Sequence, residues 1–202
     1  MRKIFITGIG TDVGKTIVSA IFTEAFKADY WKPIQCGLPR DSDAIEDLIS
    51  NIETETHPER FLFGNALSPH AAARSEKIEI KLSDFKLPSA SNILVIEGAG
   101  GLMVPLNNKE LVIDLINKFD AEVVLVVKNY LGNINHTLLS IEALKNRKIK
   151  IAGLVFNGKM LPLTEEVILK QSGLKCLLRI KEEKEITKAV VLRYAKLLIE
   201  QL

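Results

Sequence analysis

The segment from Phe5 to Thr16, FITGIGTDVGKT, closes on Gly14, Lys15 and Thr16. Those residue types in that order suit a phosphate. Successive backbone N–H groups can wrap its oxygens, the lysine reaches the terminal group, and the hydroxyl ligates magnesium. The common spacing, G-x-x-x-x-G-K-[ST], would place another glycine where this chain has Ile9, with Gly8 one residue too far back and Gly10 one too near. The surroundings favour the phosphate reading all the same. An apolar strand pattern, Lys3 to Thr7, precedes the loop and a helical pattern follows from about Gly14, so a helix N-terminus with free N–H groups faces the anion. A nucleotide is the ligand class this implies.

Three further constellations could act on that phosphate. In ILVIEGAGG, Glu97 is read as ending a buried strand, followed by Gly98, Ala99, Gly100 and Gly101. An acid at the carboxyl end of a parallel strand beside a phosphate loop is placed to hold magnesium or to position water. The glycines permit close backbone approach to a ligand, although a tight turn would need them too. In YWKPIQCG, Lys32 closes a short strand pattern, either as a second cation for developing phosphoryl charge or as an ordinary exposed lysine. In RDSDAIEDLI, Asp43 starts a helical pattern, either as a magnesium ligand or as the N-terminal cap, the default role of an isolated Asp. His70 and His136 lie far apart with few polar neighbours, so they read as structural or locally hydrogen-bonded.

The elements that must position these residues follow an alternating pattern. After the first strand and helix come a strand from Asn92 to Glu97, a helix from Val112 to Phe119, a strand from Glu122 to Val127, and a helix from about Ile134 to Asn146. The strand KIAGLVFNG, a helix near Thr164 to Gln171 and a short strand around Lys175 to Leu178 complete the series. NILVIE and EVVLVV are almost continuously apolar, as strands are when helices cover both faces of a parallel sheet. The closing segment, KEITKAVVLRYAKLLIEQL, places Ile186, Val190, Tyr194, Leu197 and Leu198 on one helical stripe. The stretch from Pro39 to Ser91 is the least periodic. The expected architecture is α/β: one P-loop NTPase-like domain over residues 1–202, with a mostly parallel central sheet flanked by helices.

Composition narrows the function classes. A formal net charge of +2 and no long basic run argue against nucleic acid as a partner, and no apolar segment is long enough to span a bilayer. The short N-terminal apolar run passes straight into the glycine loop and reads as a strand, not a signal peptide. Two cysteines, Cys36 and Cys176, without C-x-x-C spacing fit a reducing compartment, so a cytoplasmic location is expected.

The ordered set TDVGKT, KPIQCG, DSDA, SPHAA, EGAGG, LGNINH and VFNG resembles the dethiobiotin synthetases, ATP-dependent enzymes of the penultimate step of biotin synthesis. The resemblance runs from the N-terminus to about Gly158. It implies the substrates 7,8-diaminononanoate, carbon dioxide or bicarbonate, and ATP, with Mg2+ as cofactor. One amine takes up carbon dioxide, the carbamate oxygen attacks the γ-phosphate, and the second amine closes the cyclic urea with release of phosphate. It also implies that Asp12, Val13, Gly14, Lys15, Thr16 and Ile17 cradle the triphosphate. Thr16, Asp43 and Glu97 would hold magnesium, Thr11 would lie beside the reacting groups, and Lys32 would stabilise the carbamate and the transferring phosphoryl group. The backbone of Glu97, Gly98, Ala99 and Gly100 would contact substrate or phosphate, and the Asn157 amide would bond adenine. Family members are homodimers, so the loop Gly132, Asn133, Ile134 and Asn135 would receive the substrate carboxylate across the interface.

Departures from the family pattern stand beside the matches. Ile9 and Gly10 replace a usual Thr-Asp, Cys36 replaces a serine that would touch substrate, and Lys181 stands where a proline near the nucleobase is looked for, leaving Ile180 to Glu183 as open contacts. Other readings of the same loop are a GTP switch, an amide-forming P-loop ligase, a partitioning-type ATPase and a nucleotide-binding paralogue without catalysis. The first lacks the N-K-x-D signature, the second lacks room for its glutaminase domain, and the third lacks a lysine at Ile9.

Overall fold

The computed structural model describes residues 1–90 and 92–202. Strand β1 (Lys3–Gly8) leads through the loop into α1 (Lys15–Phe26), followed by β2 (Asp29–Trp31), β3 (Ile34–Cys36), α2 (Asp41–Leu48), β4 (Thr56–His57), β5 (Phe61–Phe63) and α3 (Pro69–Ser75). Then come β6 (Leu94–Gly101), α4 (Val112–Phe119), β7 (Glu122–Lys128), α5 (Asn133–Asn146), β8 (Ile151–Asn157), α6 (Pro162–Ser172), β9 (Cys176–Ile180) and α7 (Lys188–Glu200). Seven strands form one sheet in the order β4-β2-β6-β1-β7-β8-β9, every pairing parallel, while β3 and β5 form a separate parallel pair.

Successive side chains of a strand point to opposite faces, so a run such as EVVLVV must fill two cores at once. Phe5, Ile96, Val123, Leu125 and Val127 enter one core, closed by residues of α4, α5 and α6. Ile4, Ile6, Val95, Val124 and Val126 enter the other, closed by α1 and α7. Because α1 packs between the sheet, α2 and α7, even its Ser19 and Thr23 are buried. Among the described residues, no helix is long and apolar enough to cross a membrane.

Three expectations are corrected here. Strand β6 starts at Leu94 and continues through the glycines to Gly101, so Glu97 lies within the strand instead of ending it. Within this strand position 98 requires glycine, because a Cβ there would come 2.7 Å from the Phe5 ring. The closing helix starts at Lys188, capped by the Thr187 side chain, and buries Val191, Tyr194, Ala195 and Leu198. Leu197 is on its exposed side, since packing against α1 follows the i, i+3, i+4, i+7 stripe from Val191. Finally, the stretch from Pro39 to Ser91 holds α2, two residues ahead of the helical pattern read from Asp43, and α3, β4 and β5, whose brevity hid them from a periodicity reading; Ser91 itself lies outside the described residues.

The sheet order decides what meets at its carboxyl edge. With β6 between β2 and β1, Glu97 lies between Lys32, just past β2, and the loop that leaves β1.

Candidate active site

The loop after β1 turns through left-handed backbone at Asp12 (φ 56°) and Gly14 (φ 94°), the kind of conformation that builds anion-receiving concavities. Only glycine suits the second position, where a Cβ would also run into the Asn157 amide. Val13 sends its side chain into the core and anchors the loop from below. Lys15 is buried and its Nζ donates to the Gly10 carbonyl at 3.1 Å. Burial pushes its ammonium below the ordinary value, against the attraction of Glu97.

Glu97 is the hub, 1% exposed. Its Oε1 accepts from the Thr16 hydroxyl at 3.0 Å and from Lys32 Nζ at 3.3 Å; its Oε2 accepts from the Tyr30 hydroxyl at 3.0 Å. Burial, reinforced by the Glu97 charge, holds the Tyr30 phenol well above its ordinary value, so it stays a donor. Lys32 is 6% exposed and also pairs with Asp41, which excludes the ordinary-exposed-lysine reading. Two cations (Lys15, Lys32), two hydroxyls (Thr16, Tyr30) and two acids (Glu97, Asp41) therefore share one largely desolvated cluster.

Lys15, Thr16, Lys32, Asp41 and Glu97 form the wall of a cavity of about 880 Å3, with Thr11, Asp12, Gly14, Ile17, Cys36, Ala99 and Gly100 completing the lining among the expected site residues. Burial pushes the Cys36 thiol up to about 11, with Lys32 pulling the other way, so it faces the cavity as a neutral thiol.

Other expected residues lie elsewhere. Helix α2 begins at Asp41, so Asp43 falls in its first turn and is not its cap. Arg40 donates to both Asp43 oxygens, and this bond draws the carboxyl below its ordinary value; Asp41 is the acid that lines the cavity. Gly132 (φ 105°) precedes α5, and Asn133, Ile134 and Asn135 form the first turn of that helix instead of a loop. Asn133 is buried and donates to Asn129 Oδ1 at 2.9 Å. Asn157, at the end of β8, donates from Nδ2 to the Val13 carbonyl at 2.8 Å, beside the loop. His70 bonds Ser68 and His136 bonds Tyr130, the local roles expected.

Sequence reading missed Asp41, Tyr30 and Gln35. Buried Gln35 donates to the Gly37 carbonyl at 2.9 Å and accepts the Asp41 N–H at 3.2 Å, which fixes the start of α2 against Lys32. The buried polar residue in KPIQCG was the available signal. The departures at Ile9 and Gly10 are coherent: Ile9 packs against both cores, and the space beside Gly10 is open.

A family profile described as "AAA domain" matches residues 2–190. A protein of Cytophaga hutchinsonii named ATP-dependent dethiobiotin synthetase BioD is 53% identical over 197 residues, covering 96% of both chains. Proteins of the same name from Christiangramia forsetii and Paramagnetospirillum magneticum are 50% and 40% identical, covering 96% and 95% of this chain and 95% and 93% of their own. The chain belongs to the ATP-dependent dethiobiotin synthetase family. Among solved structures, the MinD cell division protein of Aquifex aeolicus superposes with a TM-score of 0.57 at 14% identity, covering 100% of this chain and 98% of its own. A putative plasmid partition protein of Borrelia burgdorferi bound to AMPPNP gives 0.58 at 13%, covering 98% and 96%. Those likenesses show a P-loop NTPase fold. The full-length identity to the synthetases separates this chain from the partitioning reading.

Proposed function

We propose that this chain, as one domain over residues 1–202, closes the cyclic urea of dethiobiotin from 7,8-diaminononanoate and carbon dioxide at the expense of ATP. The observation that carries the reading is the buried cluster of Lys15, Lys32, Thr16 and Glu97 at the mouth of the phosphate loop, in a chain 53% identical to a protein named for this activity.

Carbamate activation is phosphoryl transfer, in which positioning and charge neutralisation carry most of the catalysis. The loop backbone from Asp12 to Ile17 binds the triphosphate, and Lys15 leaves the Gly10 carbonyl for its terminal oxygens. Lys32 neutralises the carbamate and the migrating phosphoryl group, while Glu97, Tyr30 and Asp41 keep its ammonium in place. The oxygen donors suit magnesium, since the Thr16 hydroxyl and the Glu97 carboxylate lie 3.0 Å apart. When bound, magnesium would be held by the Thr16 hydroxyl and the Glu97 carboxylate and would offset the charge of the phosphates. The third ligand comes from the first turn of α2: Asp43 after release by Arg40, or Asp41, which already lines the cavity.

Thr11 and Cys36 border the reacting groups, and the Glu97 to Gly100 backbone lies alongside. Asn157 keeps its Oδ1 and one N–H for adenine. The first turn of α5, Gly132 to Asn135, offers N–H groups to the substrate carboxylate of a second protomer, so the working unit is a homodimer. Support for that interface is the exposure of Tyr130 and Leu131 just before this turn. The free cysteines fit a cytoplasmic setting.

The experiment is phosphate release by the purified protein with magnesium, ATP and bicarbonate, with and without the diamine, while mass spectrometry follows the cyclic urea. Diamine-dependent release matched by dethiobiotin supports the proposal. Release indifferent to the diamine, with no urea formed, overturns it.

A further inference from the structure

At the β4–β2 edge of the sheet, three ligand-type side chains converge that the proposed reaction does not use. Asp29 opens β2, Glu55 precedes β4, and His57 closes β4 opposite Trp31. One donor atom from each lies within 4.8 Å of the other two. His57 is 5% exposed, and its buried Nε2 has no hydrogen-bond partner. Leaving such a polar atom unpaired away from water is costly, so an occupant is called for.

The geometry points to a shared ion. His57 Nε2 lies 3.6 Å from Asp29 Oδ2, too long for a hydrogen bond. Two atoms bound to one zinc-sized ion at about 2.0–2.2 Å stand up to roughly 4.4 Å apart, so this pair fits one ion as it stands. Glu55 Oε1 stands 3.6 Å from the other ring nitrogen, Nδ1, and its exposed side chain would swing to the Nε2 side to join as the third ligand. Asp29 is already oriented, because its Oδ1 accepts the Glu55 N–H at 3.0 Å, leaving Oδ2 turned toward the imidazole. A cavity of about 360 Å3 bordered by Asp29, Glu53 and Glu55 opens the carboxylate side of the group to solvent. Its acids favour a cation, and Lys27 pairs with the outlying Glu53.

We propose that Asp29, Glu55 and His57 bind a divalent transition metal of the zinc class, clipping β4 to β2 at the sheet edge. One imidazole nitrogen with two carboxylates suits zinc or cobalt, whereas magnesium prefers oxygen ligands throughout. The site is separate from the magnesium proposed at the phosphate loop and does not depend on the synthetase reading.

The test uses the full-length protein, stripped by chelator and then saturated with MgATP to cover the phosphate loop. Zinc chloride is titrated against a chromogenic chelator, with cobalt chloride as a spectroscopic probe. The expected result is one tight equivalent of zinc and a raised melting temperature. Glu55→Gln, at a side chain 72% exposed and so harmless to the fold, is expected to weaken binding at least tenfold, and His57→Gln at least a hundredfold. Absence of zinc binding, or equal affinity in wild type and Glu55→Gln, overturns the proposal. Should His57→Gln fail to fold, the Glu55→Gln comparison alone decides.

Discussion

The two ends of the nucleotide site are built on different terms. At the phosphate end, Glu97 of β6 collects donors from Thr16 at the start of α1, from Tyr30 in β2 and from Lys32 just past it. At the proposed base end, polar groups are engaged with each other near the surface: Asn157 with the Val13 carbonyl, and Glu183 with the Tyr194 hydroxyl at 2.6 Å. The Lys181 N–H donates to that same hydroxyl at 3.0 Å, a bond no proline could make. The first end is preorganised for charge, which lowers the cost of binding it; at the second, a ligand must share or displace existing bonds. Catalytic power is therefore expected from the phosphate cluster, with base recognition the weaker contribution.

The largest effect that could break this comparison is expected from Lys15→Ala or Glu97→Gln. Each is predicted to lower kcat/KM by about 10^3-fold with the fold retained, the scale of losing a group aimed at transition-state charge, as read by steady-state kinetics and circular dichroism. Activity within tenfold of wild type would remove the cluster from the chemistry. Lys32→Met is expected to reduce kcat by about 10^2-fold with little change in KM for ATP, because its charge matters when the phosphoryl group moves. Magnesium titrations of Asp41→Asn and Asp43→Asn sharpen the same end, since the variant needing more magnesium identifies the third ligand.

Cys36 provides a pH test. Its thiol ionises at about 11 against an ordinary 9.0, so at pH 8 the reactive thiolate is about a hundredfold scarcer than in a free thiol. Iodoacetamide labelling of Cys36 should be correspondingly slow, speeding up as pH rises toward 11; measuring it in Cys176→Ser isolates the signal. Rapid labelling at pH 8 would contradict the buried neutral thiol. The smallest effect belongs to the base end: Asn157→Ala is expected to raise KM for ATP by about tenfold, the worth of one lost polar contact, with kcat unchanged. A loss as large as that of Glu97→Gln would reverse the ranking of the two ends.

Legibility in the sequence followed the same division. The parallel sheet was readable because strands buried on both faces are continuously apolar, and α4 was bounded correctly from Val112 to Phe119 by periodicity alone. Gly14, Lys15, Thr16 and Glu97 drew notice because charge beside glycine has few structural uses, although Glu97 sits within β6 and not at its end. Asp41 was hidden because Asp41 and Asp43 sit two apart at a helix start, and only packing decides which one meets Lys32. Tyr30 looked like ordinary core, and its bond to Glu97 depends on the β2-β6 register. The stripe of α7 slipped because its first turn could not be located without Thr187 acting as cap.

The most direct measurement follows oxygen. Single turnovers with 18O-labelled carbon dioxide, quenched before label exchanges with water, are analysed for label in both phosphate and dethiobiotin. If a carbamate oxygen attacks the γ-phosphate at the Lys15, Lys32 and Glu97 cluster, each phosphate carries one labelled oxygen and each urea carbonyl the other. Unlabelled phosphate formed alongside labelled dethiobiotin would contradict that step and the roles assigned to the cluster.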